Sequence, residues 1–311
     1  MTQQKPLLSV RDLMVDFPNQ NGSVRALENV SLDLWEGETL AIVGESGSGK
    51  STTAHAIINL LPGAGKISGG SIVFDGKELV GANSAELEAI RGKQIGFVPQ
   101  DPMSNLNPVW SIGFQVEEAI AANNPSMDKK AVRAEAIAVL NKAGLTDAEK
   151  RMKQYPHQFS GGMRQRVLIG IGLSANPKLL IADEPTSALD VTVQRTILDH
   201  LATLTKATQT SVILITHDLG LAAERADRIV VMYRGRIVES GPSLEVLKNP
   251  KHPYTQKLVA ARKATPRKPH QSEDVAVKIS NISKTYSIKG SGFKSTPFTA
   301  VENVSLEIKR G

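Results

Sequence analysis

The segment Gly44-Glu45-Ser46-Gly47-Ser48-Gly49-Lys50-Ser51 has the residue types and the G-x-x-x-x-G-K-[ST] spacing of a loop that wraps nucleotide phosphates. Its glycines let the backbone curl tightly and aim several N–H groups inward. A helix opening at Ser51-Thr52 adds partial positive charge at the same spot. The Lys50 ammonium can neutralise outer phosphates, and the Ser51 hydroxyl can ligate Mg²⁺. Far downstream, Leu179-Leu180-Ile181-Ala182-Asp183-Glu184 is an apolar run ending in two carboxylates. Asp183 can hold Mg²⁺ through water, and Glu184 can orient or deprotonate an attacking water. An acidic pair at a strand end is weak evidence alone, but after a phosphate loop it points to nucleotide hydrolysis.

These side chains need rigid supports, and the sequence provides them. Thr39–Val43 reads as a buried strand, and the residues from Ser51 to Leu61 run as a helix that Pro62-Gly63 stops. From Leu7 to about Val98, short strands alternate with Gly, Asn and Asp turns, at Val10–Phe17, Val30–Leu34 and Gly70–Phe74. Residues 103–158 have helical periodicity instead, at Phe114–Ile120 and Ala131–Leu140. Leu179–Ala182, Ser211–Ile215 and Arg228–Met232 are short apolar runs of the kind found in buried parallel strands. The expected fold class is α/β, a nucleotide-binding core interrupted by an inserted helical subdomain.

A chain of 311 residues with 41% hydrophobic and 22% charged residues can bury a sizeable core. No apolar run approaches the roughly 18 residues a membrane-spanning helix needs. No apolar stretch follows the first residues, so a secretory signal is not expected. The absence of cysteine rules out disulfides and thiolate metal sites. A net charge of +6 could meet nucleic acid or an anionic membrane face. Its dispersal, apart from Arg262, Lys263, Arg267 and Lys268, reads as ordinary solubility. With 4% aromatics and no basic–aromatic interleaving, no nucleic-acid partner is expected.

Residues 262–274 have the polar, proline-containing composition of a linker. Beyond it the chain repeats its own beginning. Ala26-Leu27-Glu28-Asn29-Val30-Ser31-Leu32 reappears as Ala300-Val301-Glu302-Asn303-Val304-Ser305-Leu306, and Val10 to Phe17 corresponds to Ile279 to Tyr286. Gly37 then aligns with Gly311, so a second phosphate loop is expected just past the last residue. The expected layout is a nucleotide-binding domain over 1–261, a linker over 262–274, and the opening β segment of a second such domain over 275–311.

Between the phosphate loop and the acidic pair lies Phe159-Ser160-Gly161-Gly162-Met163-Arg164-Gln165-Arg166, followed by the apolar Val167-Leu168-Ile169. With this segment the chain resembles the ATP-binding cassette (ABC) ATPases over residues 7 to 260. Ser160-Gly161-Gly162 is similar to the family's signature motif. Gln100 matches its Q-loop glutamine, Ser187-Ala188-Leu189-Asp190 its D-loop, and His217 its switch histidine. Phe17 falls where the family stacks an aromatic ring on adenine; the usual tyrosine is replaced, and Met163 replaces a frequent glutamine. Singly, each of these residues reads as an ordinary turn, loop or core position; their order along the chain carries the resemblance.

The resemblance implies a P-loop core with an antiparallel β subdomain and the helical insertion. ATP and Mg²⁺ are the implied cofactors. ATP would touch Phe17, Gly44 through Thr52, and Ser160 to Gly162; Ser51, Gln100 and Asp183 would serve the metal; Glu184, His217 and Gln100 would serve hydrolysis. It further implies a site shared with a second ABC domain, in cis or as a homodimer. Residues 103–158 would grip membrane permease subunits at the cytoplasmic face of a bacterial inner membrane, with a periplasmic solute-binding protein as an indirect partner. The signature string, Asp101-Pro102-Met103-Ser104-Asn105-Leu106-Asn107-Pro108 and His252-Pro253-Tyr254-Thr255 resemble the dipeptide, oligopeptide and nickel importer group. The competing expectation is a soluble ABC ATPase acting on nucleic acid or ribosomes; a third is a binding module with poor turnover.

Overall fold

The computed structural model describes residues 5–19, 22–187, 189–262, 274–289 and 295–310. The chain divides into one unit ending at Arg262 and a second comprising residues 263–311. Linker residues 263–273 (with Lys263, Arg267 and Lys268), Ala188 of the D-loop-like segment, and Gly311 lie outside the described residues.

The first unit opens with two long antiparallel strands, β1 (Leu8–Asn19) and β2 (Gly22–Leu34). Both exceed the short strands expected, because bulges absorb the turn-forming residues within them: Asp12 and Asn29 take left-handed backbone (φ 47° and 51°) without ending the ladder. The core strand β3 (Thr39–Val43) has the bounds read from the sequence. Helix α1 (Lys50–Ile57) stops well before Pro62. Asn59 is left-handed, its N–H donates to the Ala56 carbonyl, and Leu60 N–H reaches back to the His55 carbonyl. That double bond pattern closes the helix four residues earlier than the proline would. Strands β4 (Lys66–Phe74) and β5 (Lys77–Glu78) complete a four-stranded antiparallel sheet in the order β2-β1-β4-β5.

Short helix α2 (Ser84–Glu88) leads to β6 (Ile95–Val98). The inserted region follows, with α3 (Ile112–Asn123), α4 (Lys129–Lys142) and α5 (Ala148–Arg151). Ser111 and Asp128 cap α3 and α4 by accepting first-turn N–H bonds. Helix α6 (Gly161–Leu173) returns the chain to β7 (Leu179–Asp183); α7 (Val191–Ala207), β8 (Ser211–Thr216), α8 (Leu219–Arg225) and β9 (Arg228–Tyr233) follow. Strand β10 (Arg236–Pro242), α9 (Ser243–Lys248) and α10 (Pro253–Arg262) close the unit. The second sheet runs β10-β9-β3-β8-β7-β6, parallel except for its β10 edge.

The central strands are buried on both faces, which is why they read as continuous apolar runs. Leu40, Ile42, Ile181, Ile213 and Ile215 pack with the antiparallel sheet and α1. Leu180, Ala182, Val212 and Leu214 face the other way, into one core with Val116, Val139, Leu168 and Leu198. Each Leu, Ile or Val side chain among them contributes about 1.5–3 kcal/mol on burial. The result fixes the carboxyl ends of β3, β6, β7 and β8 side by side. The second unit is one hairpin, β11 (Val275–Lys289) with β12 (Ser295–Lys309).

Candidate active site

The phosphate-loop residues connect β3 to α1, and their backbone explains the glycines. Gly47 and Gly49 have φ of 76° and 105°, where a side chain is strained, and Gly49 caps α1. A Cβ on Gly49 would also lie 2.7 Å from Leu27 Cδ2. Inside the loop, Lys50 is buried, and its Nζ donates to the carbonyls of Gly44 (2.8 Å) and Glu45 (3.0 Å). Ser48 Oγ is buried with no hydrogen-bond partner among the described residues.

Three other strand ends bring side chains to this loop. Ser51 Oγ donates to Asp183 Oδ1 at 3.0 Å, joining the start of α1 to the end of β7. Asp183 is almost fully buried, and that burial holds its carboxyl above the usual carboxylate range, with the Ser51 hydrogen bond opposing. Glu184, the next residue, is the hub. Its Oε1 lies 3.6 Å from Lys50 Nζ. Its Oε2 accepts from Gln100 Nε2 at 3.2 Å, beyond the end of β6, and sits 3.1 Å from His217 Nδ1, beyond the end of β8. Glu184 itself is left-handed at φ 42°, its N–H donating to the Ile215 carbonyl. A non-glycine residue in that region is strained by about 1 kcal/mol or more, and such strain concentrates at functional sites.

Lys50, Ser51, Gln100, Asp183, Glu184 and His217 therefore form one connected cluster. The ring of Phe17 is half-buried and packs over Gly65, where a Cβ would come within 2.6 Å of it. Ser160 caps α6, its Oγ accepting from Met163 N–H at 3.3 Å. Gly161 and Gly162 lie against Leu189 and Val193, where a Cβ on either glycine would come within 3.0 and 2.9 Å of them. No hydrogen bond or ion pair among the described residues joins Phe17 or Ser160–Gly162 to the cluster. Sequence reasoning did not foresee the left-handed Glu184. Nor did it connect Tyr254, whose hydroxyl accepts from Glu45 N–H at 2.9 Å, to the loop.

The oxygen donors suit a hard divalent cation. Ser51 and Asp183 supply a hydroxyl and a carboxylate already paired, and no group of three or more acidic, histidine or cysteine side chains among the described residues forms a self-sufficient cage. Magnesium favours this arrangement, one or two protein ligands completed by phosphate oxygens and water.

The ABC transporter family model matches residues 27–187. The oligopeptide transport ATP-binding protein OppD of Bacillus subtilis is 50% identical over 256 residues, covering 82% of this chain and 71% of that protein. The peptidoglycan transport ATP-binding protein YejF of Agrobacterium fabrum is 42% identical over 314 residues, covering 100% of this chain and 57% of the relative. Among solved structures, a dimeric post-hydrolysis state of the ATP-binding cassette MJ0796, bound to ADP and Pi, superposes with a TM-score of 0.68 at 31% identity, covering 76% of this chain and 98% of that one.

Proposed function

The chain belongs to the ABC transporter family, and on that premise we propose that it is the ATP-hydrolysing subunit energising a bacterial importer of peptides. The observation that carries the chemistry is the convergence of Gln100 and His217 on Glu184 beside the buried Lys50. The solute class follows from the oligopeptide- and dipeptide-transport relatives, and the transport relatives together weigh against the nucleic-acid alternative.

ATP phosphates enter the loop from Gly44 to Thr52, where inward N–H groups and the start of α1 receive their charge. Lys50 exchanges its contacts with the Gly44 and Glu45 carbonyls for phosphate oxygens. Glu184 holds the attacking water and accepts its proton, while Gln100 and His217 fix the carboxylate's orientation. Ser51 and Asp183, with Gln100 nearby, would hold Mg²⁺, which neutralises charge on the phosphates. Phe17 offers its ring to adenine. Ser160 to Gly162, at the start of α6, would complete the site of a second cassette rather than this one, consistent with their separation from the cluster. Closure of two cassettes would exclude water from both sites.

Two further surfaces support the partner assignments. Met103, Val109, Trp110 and Phe114 are exposed on the inserted helical region, with Trp110 and Phe114 stacked at 4.5 Å. Exposed apolar side chains of this kind suit a coupling segment of a permease, which would hold the chain peripherally at the cytoplasmic face of the inner membrane. No helix among the described residues is long and apolar enough to cross a membrane.

The second unit fits the opening of another cassette. Asn281 and Asn303 are left-handed at 50° and 51°, as are Asp12 and Asn29 in the first unit. Asn281 N–H donates to Ser305 Oγ at 2.9 Å, as Asp12 N–H does to Ser31 Oγ at 2.8 Å. Val277, Ile282, Val304 and Leu306 are exposed where their counterparts Leu8, Leu13, Val30 and Leu32 are buried.

The test is nucleotide binding followed by complex capture. A Mg²⁺-ATP thermal shift lost in Lys50→Ala, and co-purification with membrane permeases, are expected. A shift retained in Lys50→Ala, or co-sedimentation with ribosomes instead, would overturn the assignment.

A further inference from the structure

The segment His252-Pro253-Tyr254-Thr255 has no part in the chemistry above, yet it is tied to the phosphate loop. Tyr254 lies 209 residues from Glu45 in sequence, and its hydroxyl accepts the Glu45 N–H at 2.9 Å. The carbonyls of Gly44 and Glu45 accept from Lys50 Nζ at the same point. The first turn of the loop is thus gripped by Lys50 from within and Tyr254 from without. The Glu45 N–H is committed to the tyrosine, so it is not one of the donors offered to phosphate.

Tyr254 is itself held firmly. It is 8% exposed, and its ring packs on Tyr233 with centroids 4.3 Å apart. Its N–H donates to His252 Nδ1 at 3.2 Å. The turn before it is pinned by the Glu239 carboxylate of β10, which accepts the N–H groups of Lys251 (2.8 Å) and His252 (3.0 Å). The β9–β10 turn makes a second attachment, Gly235 N–H donating to the Ser48 carbonyl at 2.9 Å. Met232 O leaves only 2.3 Å for a Cβ at Gly44, so the loop is seated against this hairpin at backbone distance.

We propose that Tyr254 is a positioning residue for nucleotide binding: its hydroxyl presets the first turn of the phosphate loop, so that ATP meets an ordered cradle. This rests on the reading of residues Gly44 to Thr52 as the nucleotide site. An ordered loop spares ATP the entropy of ordering it, which raises affinity without touching the bond that breaks.

Tyr254→Phe keeps the ring on Tyr233 and removes one oxygen. In the full chain, a fluorescent ATP analogue with Mg²⁺ should bind threefold to tenfold more weakly, the range one neutral hydrogen bond supplies. The kcat at saturating ATP should stay within about twofold, and amide exchange at Glu45 should quicken in the nucleotide-free chain. Unchanged affinity and unchanged Glu45 exchange would overturn the proposal. A fall in kcat together with a general loss of thermal stability would overturn it too, by reducing Tyr254 to a packing residue. Lys50→Ala, measured in parallel, separates the two levels: if it binds as wild type, the nucleotide site itself is misassigned, whereas its loss beside an unaffected Tyr254→Phe removes only the clasp.

Discussion

Replacing Glu184 by Gln removes one charge and almost no volume, from a carboxylate that serves two states of the protein in opposite ways. In the nucleotide-free chain Glu184 is the counter-charge of Lys50, at 3.6 Å, with side chains only 13% and 4% exposed. Two unit charges at that distance attract by roughly 4–5 kcal/mol at an effective dielectric of about 20, and desolvation of both groups offsets much of it. Lys50 keeps its carbonyl partners, so the net loss on substitution is about 1–2 kcal/mol. For a unit of this size that lowers the melting temperature by about 2–8 °C. On binding, the balance reverses. The carboxylate competes with phosphate for Lys50 and repels it, so its neutralisation should tighten Mg²⁺-ATP binding by about tenfold, or about 1.4 kcal/mol. Hydrolysis should fall by about 10²–10⁴, the usual contribution of a general base. Calorimetric melting, equilibrium titration and phosphate release measure these three quantities on one preparation. Weaker ATP binding with undiminished turnover would refute the reasoning, because Glu184 would then neither compete for Lys50 nor take the proton.

Asp183→Asn should stabilise the nucleotide-free chain at neutral pH by about 0.5–2 kcal/mol, as relieving a functional burial commonly does. Burial raises the Asp183 pKa above its ordinary 3.8, so the group's stabilising contribution is present below that value and lost as pH rises through the folded one. The variant's advantage in denaturant melts should accordingly disappear near pH 4, while Mg²⁺-dependent hydrolysis is lost at every pH; an advantage independent of pH would contradict the burial account. Mixing Lys50→Ala chains with Ser160→Arg chains should restore ATPase activity that neither has alone, since one of the two shared sites then keeps both intact halves. An inactive mixture of chains shown to associate would argue against a signature supplied in trans. Gly96→Ala puts a Cβ 2.0 Å from the Gly172 carbonyl, wedging β6 from α6. Overpacking of that kind costs about 1–3 kcal/mol, a fall of about 2–12 °C in melting temperature that thermal unfolding would detect or exclude.

The elements whose burial is regular were legible in the sequence. Thr39–Val43 is buried along nearly its whole length, so an uninterrupted apolar run reports it without ambiguity. The sequence overstates the helix after the phosphate loop because its terminator is not a helix breaker by type: Asn59 stops it by adopting a left-handed conformation that hydrogen bonds stabilise. The sequence likewise understates the long β1 and β2, since Asp12 and Asn29 look like turns and act as bulges.

The candidate site divides along the same physical line. Lys50, Ser51, Asp183 and Glu184 announce themselves because each is bonded in sequence to the element that carries it: a strand end, a glycine turn, a helix start. Gln100 and His217 have no such local mark, and only their order among the other motifs singled them out. What joins them is the parallel register that sets β6, β7 and β8 side by side, so that residues just beyond three separate strands meet at one carboxylate. Tyr254 lies further still from any local signal. Its neighbours in sequence carry no phosphate chemistry, and the hydrogen bond of its hydroxyl crosses from α10 to the loop after β3. A pattern of residue types records what each segment buries; it does not record which backbone N–H a distant hydroxyl will hold. The left-handed Glu184 follows from that same logic, because a strained φ is tolerated there only while Ile215, on the neighbouring strand, accepts the Glu184 N–H at 3.0 Å. The orientation of the carboxylate is therefore a property of the sheet, and substitutions that shift β7 against β8 should impair hydrolysis even when every side chain of the cluster is intact.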